Sequence, residues 1–209
     1  AANNFADWDK LGDAISITTF RQHLGERDQL IKALSGFDMV VAMRERTKFD
    51  RKTLAGLDKL SLIVTTGLHN AAIDFAAANE LGITVCGTAG DLNSTVELTW
   101  ALILASARNL VAEHTSVSNN GWQVSVGQSL RKRRLAVVGL GRIGREVARI
   151  GGAFGMDVQA WSPRITQERC DEVGVSMARS LATLCCEADV LTIHLALGET
   201  TRGIVTAEH

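Results

Sequence analysis

The sequence is poor in several features that would point to particular classes of protein. Its 209 residues include one proline, Pro163, and no tyrosine. No apolar run reaches the roughly 18 residues of a transmembrane helix, so no membrane span is expected. The N-terminus lacks the charged and then apolar pattern of a signal peptide, which favours a cytoplasmic location. A net charge of −1 argues against a general nucleic-acid or acidic membrane partner.

The cysteines suit neither a metal site nor a redox pair. Cys86, Cys170, Cys185 and Cys186 show no C-x-x-C spacing and no nearby pair of histidines. Two adjacent cysteines also have poor geometry for holding one metal ion. We therefore expect free, buried or half-buried thiols in a reducing compartment and no bound metal.

Short apolar runs alternate with helical patterns, which is typical of a mostly parallel α/β sheet. In the first half of the chain, strands are expected at 15–20, 39–43, 60–65 and 83–86, and helices at 28–33, 49–57 and 73–80. Ligands of such sheets bind beyond the carboxyl ends of the strands. The loops at 44–47 and 66–70 are therefore candidate binding loops.

A long helix over 95–111 is expected to join the two halves of the chain. Ser94 and Glu97 have the spacing of an S-x-x-E capping box. The next segment, 112–123, is more polar, and its pattern fits an arm over a partner subunit or a surface loop equally well. The basic run at 131–134 is interpreted as a solvated loop, with a phosphate contact as the alternative; it lacks the aromatic residues of a single-strand nucleic-acid surface.

The most specific signal is a glycine-rich turn between a strand and a helix. The apolar run 135–138 is followed by Gly139, Gly141 and Gly144 at G-x-G-x-x-G spacing, and then by a helical pattern. The first glycine permits the tight turn, the second lets the backbone approach a pyrophosphate, and the third lets the helix pack closely on the strand. The N–H groups at the helix start then face an anion. The pattern predicts NAD or NADP as cofactor.

The end of the next strand, 158–161, bears on the choice between these two cofactors. An NAD enzyme usually has an acidic residue there, which bonds the ribose 2′-OH. Here the position holds Ser162, with Arg164 close behind, and Asp157 lies at the other end of the strand. We hypothesise that NADP is accepted, or even preferred to NAD; the alternative is that Arg164 points into water and NAD is used.

The rest of the chain continues the alternation of helices and strands. Helices are expected at 166–173 and 180–187, and a buried strand at 190–195. His194 lies near the end of that strand, and a histidine there is more often structural than catalytic.

Seven segments carry a family resemblance, in this order: V-V-A-M-R-E-R-T (40–47), L-I-V-T-T-G-L-H-N-A-A-I-D (62–74), G-I-T-V-C-G-T (82–88), S-T-V-E-L-T-W-A-L-I-L-A (94–105), G-L-G-R-I-G (139–144), A-F-G-M-D-V-Q-A-W-S-P (153–163) and A-D-V-L-T-I-H-L-A-L-G-E-T-T-R-G (188–203). Together they resemble the D-isomer-specific 2-hydroxyacid dehydrogenases, the family of phosphoglycerate dehydrogenase and of glyoxylate and hydroxypyruvate reductases. The resemblance implies a flavodoxin-like substrate domain over 1–92 and a Rossmann dinucleotide-binding domain over 93–209. It also implies a homodimer formed through 97–130, and hydride transfer between NAD(P) and a small 2-oxo acid or D-2-hydroxy acid in the cleft between the domains.

The resemblance further implies roles for individual residues. The backbone at Leu68 and His69 would hold the substrate carboxylate, with Arg44 on the cleft floor. The cofactor would be held by Thr95, Gly139, Gly141, Arg142, Ile143, Gly144, Trp161, Ser162, Arg164, His194, Leu195, Ala196 and Thr201. Two positions depart from the family pattern. Ala196 replaces a proline, which would make its loop less rigid, and His69 replaces a glycine, where the ring would narrow the pocket, contact substrate or face solvent.

No catalytic residue is predicted in this sequence. The family's catalytic arginine, glutamate and histidine come from segments that would follow His209, and its first strand would precede Ala1. We therefore expect both domains to be incomplete and the chain by itself to be inactive. A second hypothesis is a non-catalytic dinucleotide-binding module, like the family's corepressor branch, in which cofactor binding sets the oligomeric state.

Overall fold

Two separate parallel sheets organise the chain in the computed structural model, which describes residues 8–12 and 14–209. The chain divides between Gly90 and Asp91 into two compact units, close to the predicted domain boundary after residue 92. Each unit contains one of the sheets. The predicted α/β class is confirmed.

The first unit is a three-stranded parallel sheet with short helices. Its strands are β1 (Met39–Ala42), β2 (Leu62–Thr65) and β3 (Thr84–Gly87), in the order β1-β2-β3. Its helices are α1 (Arg27–Leu34), α2 (Arg51–Ala55) and α3 (Phe75–Glu80). The core of this unit is apolar and includes Phe49, Leu54 and Ile63, each nearly or fully shielded from solvent.

Helices α2 and α3 begin later than the pattern predicts. The carboxylate of Asp50 accepts a hydrogen bond from the backbone N–H of Thr53 (3.0 Å), and that of Asp74 accepts one from Ala77 (2.9 Å). These side chains are N-caps, so each fixes the first turn of its helix. Ahead of the two caps, Phe49 forms a parallel bridge with Ile73. The residues before each cap are therefore extended rather than helical.

The strand predicted at 15–20 is wrong. These residues have no regular secondary structure, and Ile15, Ile17 and Phe20 are all exposed. An alternating apolar pattern becomes a strand only where a neighbouring strand takes up its backbone hydrogen bonds. In the described part of the chain, β1 pairs with β2 alone, so no strand adds to its outer edge.

The second unit begins with two helices and continues into a four-stranded parallel sheet. The helices are α4 (Asn93–Ala107), α5 (Leu110–Ser118), α6 (Arg142–Ala153), α7 (Gln167–Asp171) and α8 (Leu181–Glu187). The strands are β4 (Arg134–Val138), β5 (Asp157–Trp161), β6 (Ser176–Met177) and β7 (Val190–Ile193), in the order β6-β5-β4-β7. On one face of the sheet, α4 and α6 share a core that includes Val96, Trp100 and Val147.

The start and end of α4 both differ from the prediction. The capping box is wrong: the helix begins at Asn93, whose N–H donates to the carboxylate of Asp91 (2.8 Å), and Ser94 lies inside the first turn. The helix ends at Ala107 because Asn109 adopts a left-handed conformation (φ 50°). The polar segment after it is therefore a second helix, α5, which is followed by residues 121–130 without regular secondary structure.

Candidate functional site

Three loops of the second unit begin at one edge of its sheet. Val138 pairs with Trp161 on one side and with Ile193 on the other, so β4, β5 and β7 end level with one another. The next residue of each strand opens a loop at this carboxyl edge. These residues are Gly139, Ser162 and His194.

Two glycines of the turn are required by sterics. Gly139 has a φ of 102°, and a Cβ there would lie 2.8 Å from the carbonyl carbon of His194. Its N–H donates to the carbonyl of Trp161 (2.7 Å), which joins the turn to β5. A Cβ on Gly144 would collide with the carbonyl oxygen of Gly139. The strand, the turn and α6 can therefore approach this closely only without these side chains.

The middle glycine faces open space. A Cβ on Gly141 would meet no heavy atom within 4 Å. Arg142 and Ile143 begin α6, and their N–H groups precede the first hydrogen bond of the helix, which Arg145 donates to the Gly141 carbonyl. Bare backbone, unpaired N–H groups and the positive end of the helix dipole fit a dinucleotide pyrophosphate.

The end of β5 carries no acidic residue. Trp161 and Ser162 are half-buried there, and Arg164 is exposed. Within residues 8–12 and 14–209, Arg164 has no ion-pair partner. In the register of β4 and β5, Asp157 lies opposite Arg134, at the amino ends of the two strands. The acidic residue of β5 is therefore at the far end of the strand from this edge.

The loop after β7 is tied by local hydrogen bonds. Thr201 Oγ1 donates to the carbonyl of Ala196 (2.6 Å) and accepts from the N–H of Gly198 (2.9 Å). Leu195 packs against the apolar cluster beneath α8. His194 is half-buried, with Nε2 2.8 Å from Thr192 Oγ1, and burial lowers the pKa of its ring. A neutral ring held by a threonine is consistent with a structural role.

The two remaining sequence candidates of this unit lie elsewhere. Thr95 is exposed in the first turn of α4, beside Val96 in the core shared with α6. The basic run 131–134 lies at the amino end of β4, the opposite edge from the glycine turn. There Arg133 pairs with Asp189 (3.0 Å), so this run is part of the structure of that edge.

In the first unit, the two predicted binding loops lie together. The N–H of Arg44 donates to Thr66 Oγ1 (3.0 Å), and Asn70 Nδ2 donates to the carbonyl of Arg44 (2.7 Å) and to Thr65 Oγ1 (2.8 Å). Asn70 is 1% exposed. The motif analysis missed this residue, although an asparagine that closes a turn is the available signal.

The loop presents unpaired donors to solvent. In the described structure, the N–H groups of Leu68 and His69 have no hydrogen-bond partner, and both side chains are exposed. The guanidinium of Arg44 lies over Gly67, where a Cβ would come 2.5 Å from Arg44 Nη1. This guanidinium has no carboxylate partner among the described residues. Consecutive free N–H groups beside a cation form a site suited to a small carboxylate.

The described residues offer neither a metal site nor a membrane span. Across residues 8–12 and 14–209, no three His, Cys, Asp or Glu side chains are grouped closely enough to hold a metal ion. In the same residues, none of the helices combines the length and apolarity that crossing a bilayer demands.

Comparison with known proteins agrees with this geometry. Residues 100–209 match the model of the D-isomer specific 2-hydroxyacid dehydrogenase NAD binding domain. The chain is 34% identical over 186 residues to D-3-phosphoglycerate dehydrogenase of Methanocaldococcus jannaschii, covering 87% of this chain and 35% of that protein. It is 37% identical over 168 residues to glyoxylate reductase of Aeropyrum pernix, covering 76% and 50%.

A solved structure supports the same conclusion. Phosphoglycerate oxidoreductase of Vibrio cholerae O395 superposes with a TM-score of 0.83 at 35% identity, over 90% of this chain and 61% of that one. The chain thus spans about a third to a half of the length of the two curated relatives named above. Because more than half of its residues match this family model, the chain belongs to the D-isomer specific 2-hydroxyacid dehydrogenase family, and residues 100–209 correspond to that family's NAD binding domain.

Proposed function

We propose that the protein is an oxidoreductase that interconverts a small 2-oxo acid and a D-2-hydroxy acid. A bound NAD(P) supplies or accepts the hydride. The observation that carries this proposal is the open backbone at Gly141 above two unpaired N–H groups, in a chain that belongs to a dehydrogenase family. The three relatives described above are named as a dehydrogenase, a reductase and an oxidoreductase, which supports the same chemistry.

We assign the first unit to substrate binding. The N–H groups of Leu68 and His69, with the guanidinium of Arg44, would hold the carboxylate of the acid. Their lack of protein partners supports this role, since a bound carboxylate would satisfy all three. His69 in this exposed loop would then bear on substrate size. Orientation is the main contribution of such contacts, because they hold the reacting carbon in one geometry.

The second unit would orient the cofactor. The N–H groups of Arg142 and Ile143, over the three glycines, would bind the pyrophosphate. Residues 161–164 would surround the adenosine ribose, and residues 194–196 with Thr201 would line the groove beside the turn. Thr95 would lie near the nicotinamide. The shared edge of β4, β5 and β7 supports this assignment. No residue of this chain is assigned to proton transfer.

Turnover by the full product of the gene tests the proposal. The protein is mixed with NADH or NADPH and one of several candidate 2-oxo acids, which include glyoxylate, hydroxypyruvate and pyruvate. Oxidation of the cofactor is followed by absorbance. The matched variants are Arg44→Gln and Arg46→Gln, because both remove one exposed charge from the same short turn. We expect Arg44→Gln to lower kcat/KM by about 10- to 100-fold through loss of a charged hydrogen bond, and Arg46→Gln to leave it near the wild-type value.

Two outcomes would contradict this assignment. Cofactor binding without turnover on any 2-oxo acid would favour the non-catalytic binding module, which the relatives named above do not support. Equal effects of the two arginine variants would contradict substrate binding by Arg44.

We also propose that the protein forms a homodimer through α4, α5 and the segment 121–130 that follows them. Large apolar side chains are exposed in this region, with Trp122 84% and Val126 88% exposed. The backbone between these two residues is tied to α5, because Glu113 accepts hydrogen bonds from the N–H of Ser125 (2.8 Å) and of Val124 (3.2 Å). Exposed large apolar side chains on a backbone fixed in this way are typical of a protein interface.

Light scattering tests the dimer. We expect the wild-type protein to elute as a dimer and Trp122→Ser to shift it toward monomer. Leu197→Ser is the matched control, because Leu197 is also strongly exposed (69%) but lies in the loop after β7. A monomeric wild-type protein, or equal effects of the two variants, would contradict the proposed interface.

We further propose a cytoplasmic location. All four cysteines are free thiols, which a reducing compartment preserves. Their expected burial is wrong for Cys86 and Cys186, which are exposed, whereas Cys170 is buried and Cys185 half-buried. Subcellular fractionation of cells that produce the tagged protein would test this location. Recovery of the protein in a secreted or periplasmic fraction would contradict it.

A further inference from the structure

The cofactor edge of the second unit includes an arginine that motif analysis did not single out. Strand β6 pairs with β5 through Ala160 and Met177, and the N–H of Ala178 donates to the carbonyl of Ala160 (2.9 Å). Arg179 is the next residue. It therefore leaves β6 at the carboxyl edge, beside the point where β5 ends in Trp161.

Arg179 is exposed and has no carboxylate partner in the described structure. The same is true of Arg164, which follows β5 at this edge. Four arginines of the unit do have carboxylate partners: Arg133 with Asp189, Arg134 with Glu187, Arg145 with Glu172 and Arg149 with Glu146. Other arginines of the unit also lack an ion pair in the described structure, so the position of Arg164 and Arg179 is what distinguishes them. Both lie in loops that begin at the carboxyl edge of the sheet, after the neighbouring strands β5 and β6.

The polar groups around this point leave the cations available. Ser162 is half-buried at the strand end, and no side-chain hydrogen bond occupies its hydroxyl in the described residues. Ser180, by contrast, is occupied, because its Oγ accepts from the N–H of Thr183 (3.0 Å) as the cap of α8. Asp157, the acidic residue of β5, lies at the far end of the strand.

We propose that Arg179 is a specificity-determining residue that binds the ribose 2′-phosphate of NADP, together with Arg164 and Ser162. This inference rests on the proposed cofactor role of the second unit and adds Arg179 to the residues that would recognise the 2′-phosphate. A 2′-phosphate is close to a dianion, which two guanidinium groups bind and which a carboxylate would repel. A free ribose 2′-OH gains much less from the same groups. The pair therefore selects NADP over NAD.

Equilibrium binding tests the proposal without turnover. The probes are adenosine 2′,5′-bisphosphate and 5′-AMP, together with NADPH and NADH, titrated into the 209-residue chain by calorimetry or fluorescence. For Arg179→Gln, we expect about tenfold weaker binding of the two 2′-phosphorylated probes and little change for the other two, because one charged hydrogen bond to phosphate is lost. Arg179→Lys keeps the charge and should retain part of the affinity.

Lys132→Gln is the matched control, because it removes one exposed positive charge from the same unit at the opposite edge of the sheet. We expect it to bind all four probes as the wild type does.

The outcomes distinguish the role of Arg179 from the proposed cofactor binding by the second unit. If neither dinucleotide binds, the cofactor role of the unit is wrong, and this inference fails with it. If NADPH and NADH bind with equal affinity, the 2′-phosphate site is wrong, although the cofactor role of the unit stands. If Arg179→Gln and Lys132→Gln have the same effect, the role of Arg179 in that site is wrong. A circular dichroism spectrum unchanged from the wild type shows that a loss of binding is not a loss of fold.

Discussion

Alanine at Gly141 should abolish most dinucleotide binding without harming the fold. In the structure a Cβ at this position meets no heavy atom within 4 Å, and its φ of −82° is open to any residue. We therefore expect the free energy of unfolding to change by no more than about 0.5 kcal/mol. The new methyl group would instead occupy the space through which a pyrophosphate approaches the N–H groups of Arg142 and Ile143.

The size of the loss follows from those two donors. Each charged hydrogen bond contributes about 1.5–3 kcal/mol, so losing both at the low end costs about 3 kcal/mol. Because about 1.4 kcal/mol corresponds to a factor of ten, the affinity should fall roughly 100-fold. Fluorescence titration of the 209-residue chain with NADH and NADPH measures the dissociation constants directly.

Gly152→Ala is the control for this prediction. Gly152 lies in the same helix, α6, and a Cβ there also meets no atom within 4 Å. Alanine should stabilise the helix by about 0.5–1 kcal/mol and leave binding unchanged. Affinity within twofold of the wild type for a folded Gly141→Ala protein would refute the placement of the pyrophosphate on this turn.

Three further predictions concern stability. Gly144→Ala should lower the free energy of unfolding by about 1–3 kcal/mol in urea titrations, because its Cβ meets the rigid carbonyl of Gly139; an unchanged midpoint would contradict the close packing of turn and helix. Asn70→Ala should lower the free energy of unfolding by about 2–3 kcal/mol and release the carbonyl of Arg44 from the loop at 66–70, as measured by thermal unfolding and amide exchange. Burial lowers the pKa of His194 in the folded state relative to its value of about 6.5 in the unfolded chain. Below pH 6.5, therefore, the unfolded chain binds a proton at His194 more readily than the folded chain does. Stability should therefore fall as the pH drops through this window, and His194→Gln should reduce the fall; identical pH profiles would show that another group is responsible.

The sequence predicted best where local chemistry and periodicity agree. The strand, turn and helix around Gly139 were recognisable because each glycine meets a separate steric or electrostatic requirement of one short segment. The loops at 44–47 and 66–70 were recognisable because parallel strands place their carboxyl ends together. Errors occurred where a pattern depends on a partner outside itself. The alternating residues 15–20 have no neighbouring strand and form none themselves. Ser94 does not cap α4, because the carboxylate of Asp91 accepts the hydrogen bond of Asn93 at the start of the helix.

By itself, then, the sequence determined the α/β class, the family and the dinucleotide turn, because these depend on residue types at short, fixed spacings. Only the tertiary structure decided which distant segments meet. It joined buried Asn70, in the loop at 66–70, to the carbonyl of Arg44 in the loop at 44–47, and it placed Arg179 next to the end of β5. Strand β6, which positions Arg179, has only two residues, too few for any periodicity to reveal. Strand pairing and burial are set by contacts between remote parts of the chain. The spacing of residue types within one short segment does not reveal such contacts.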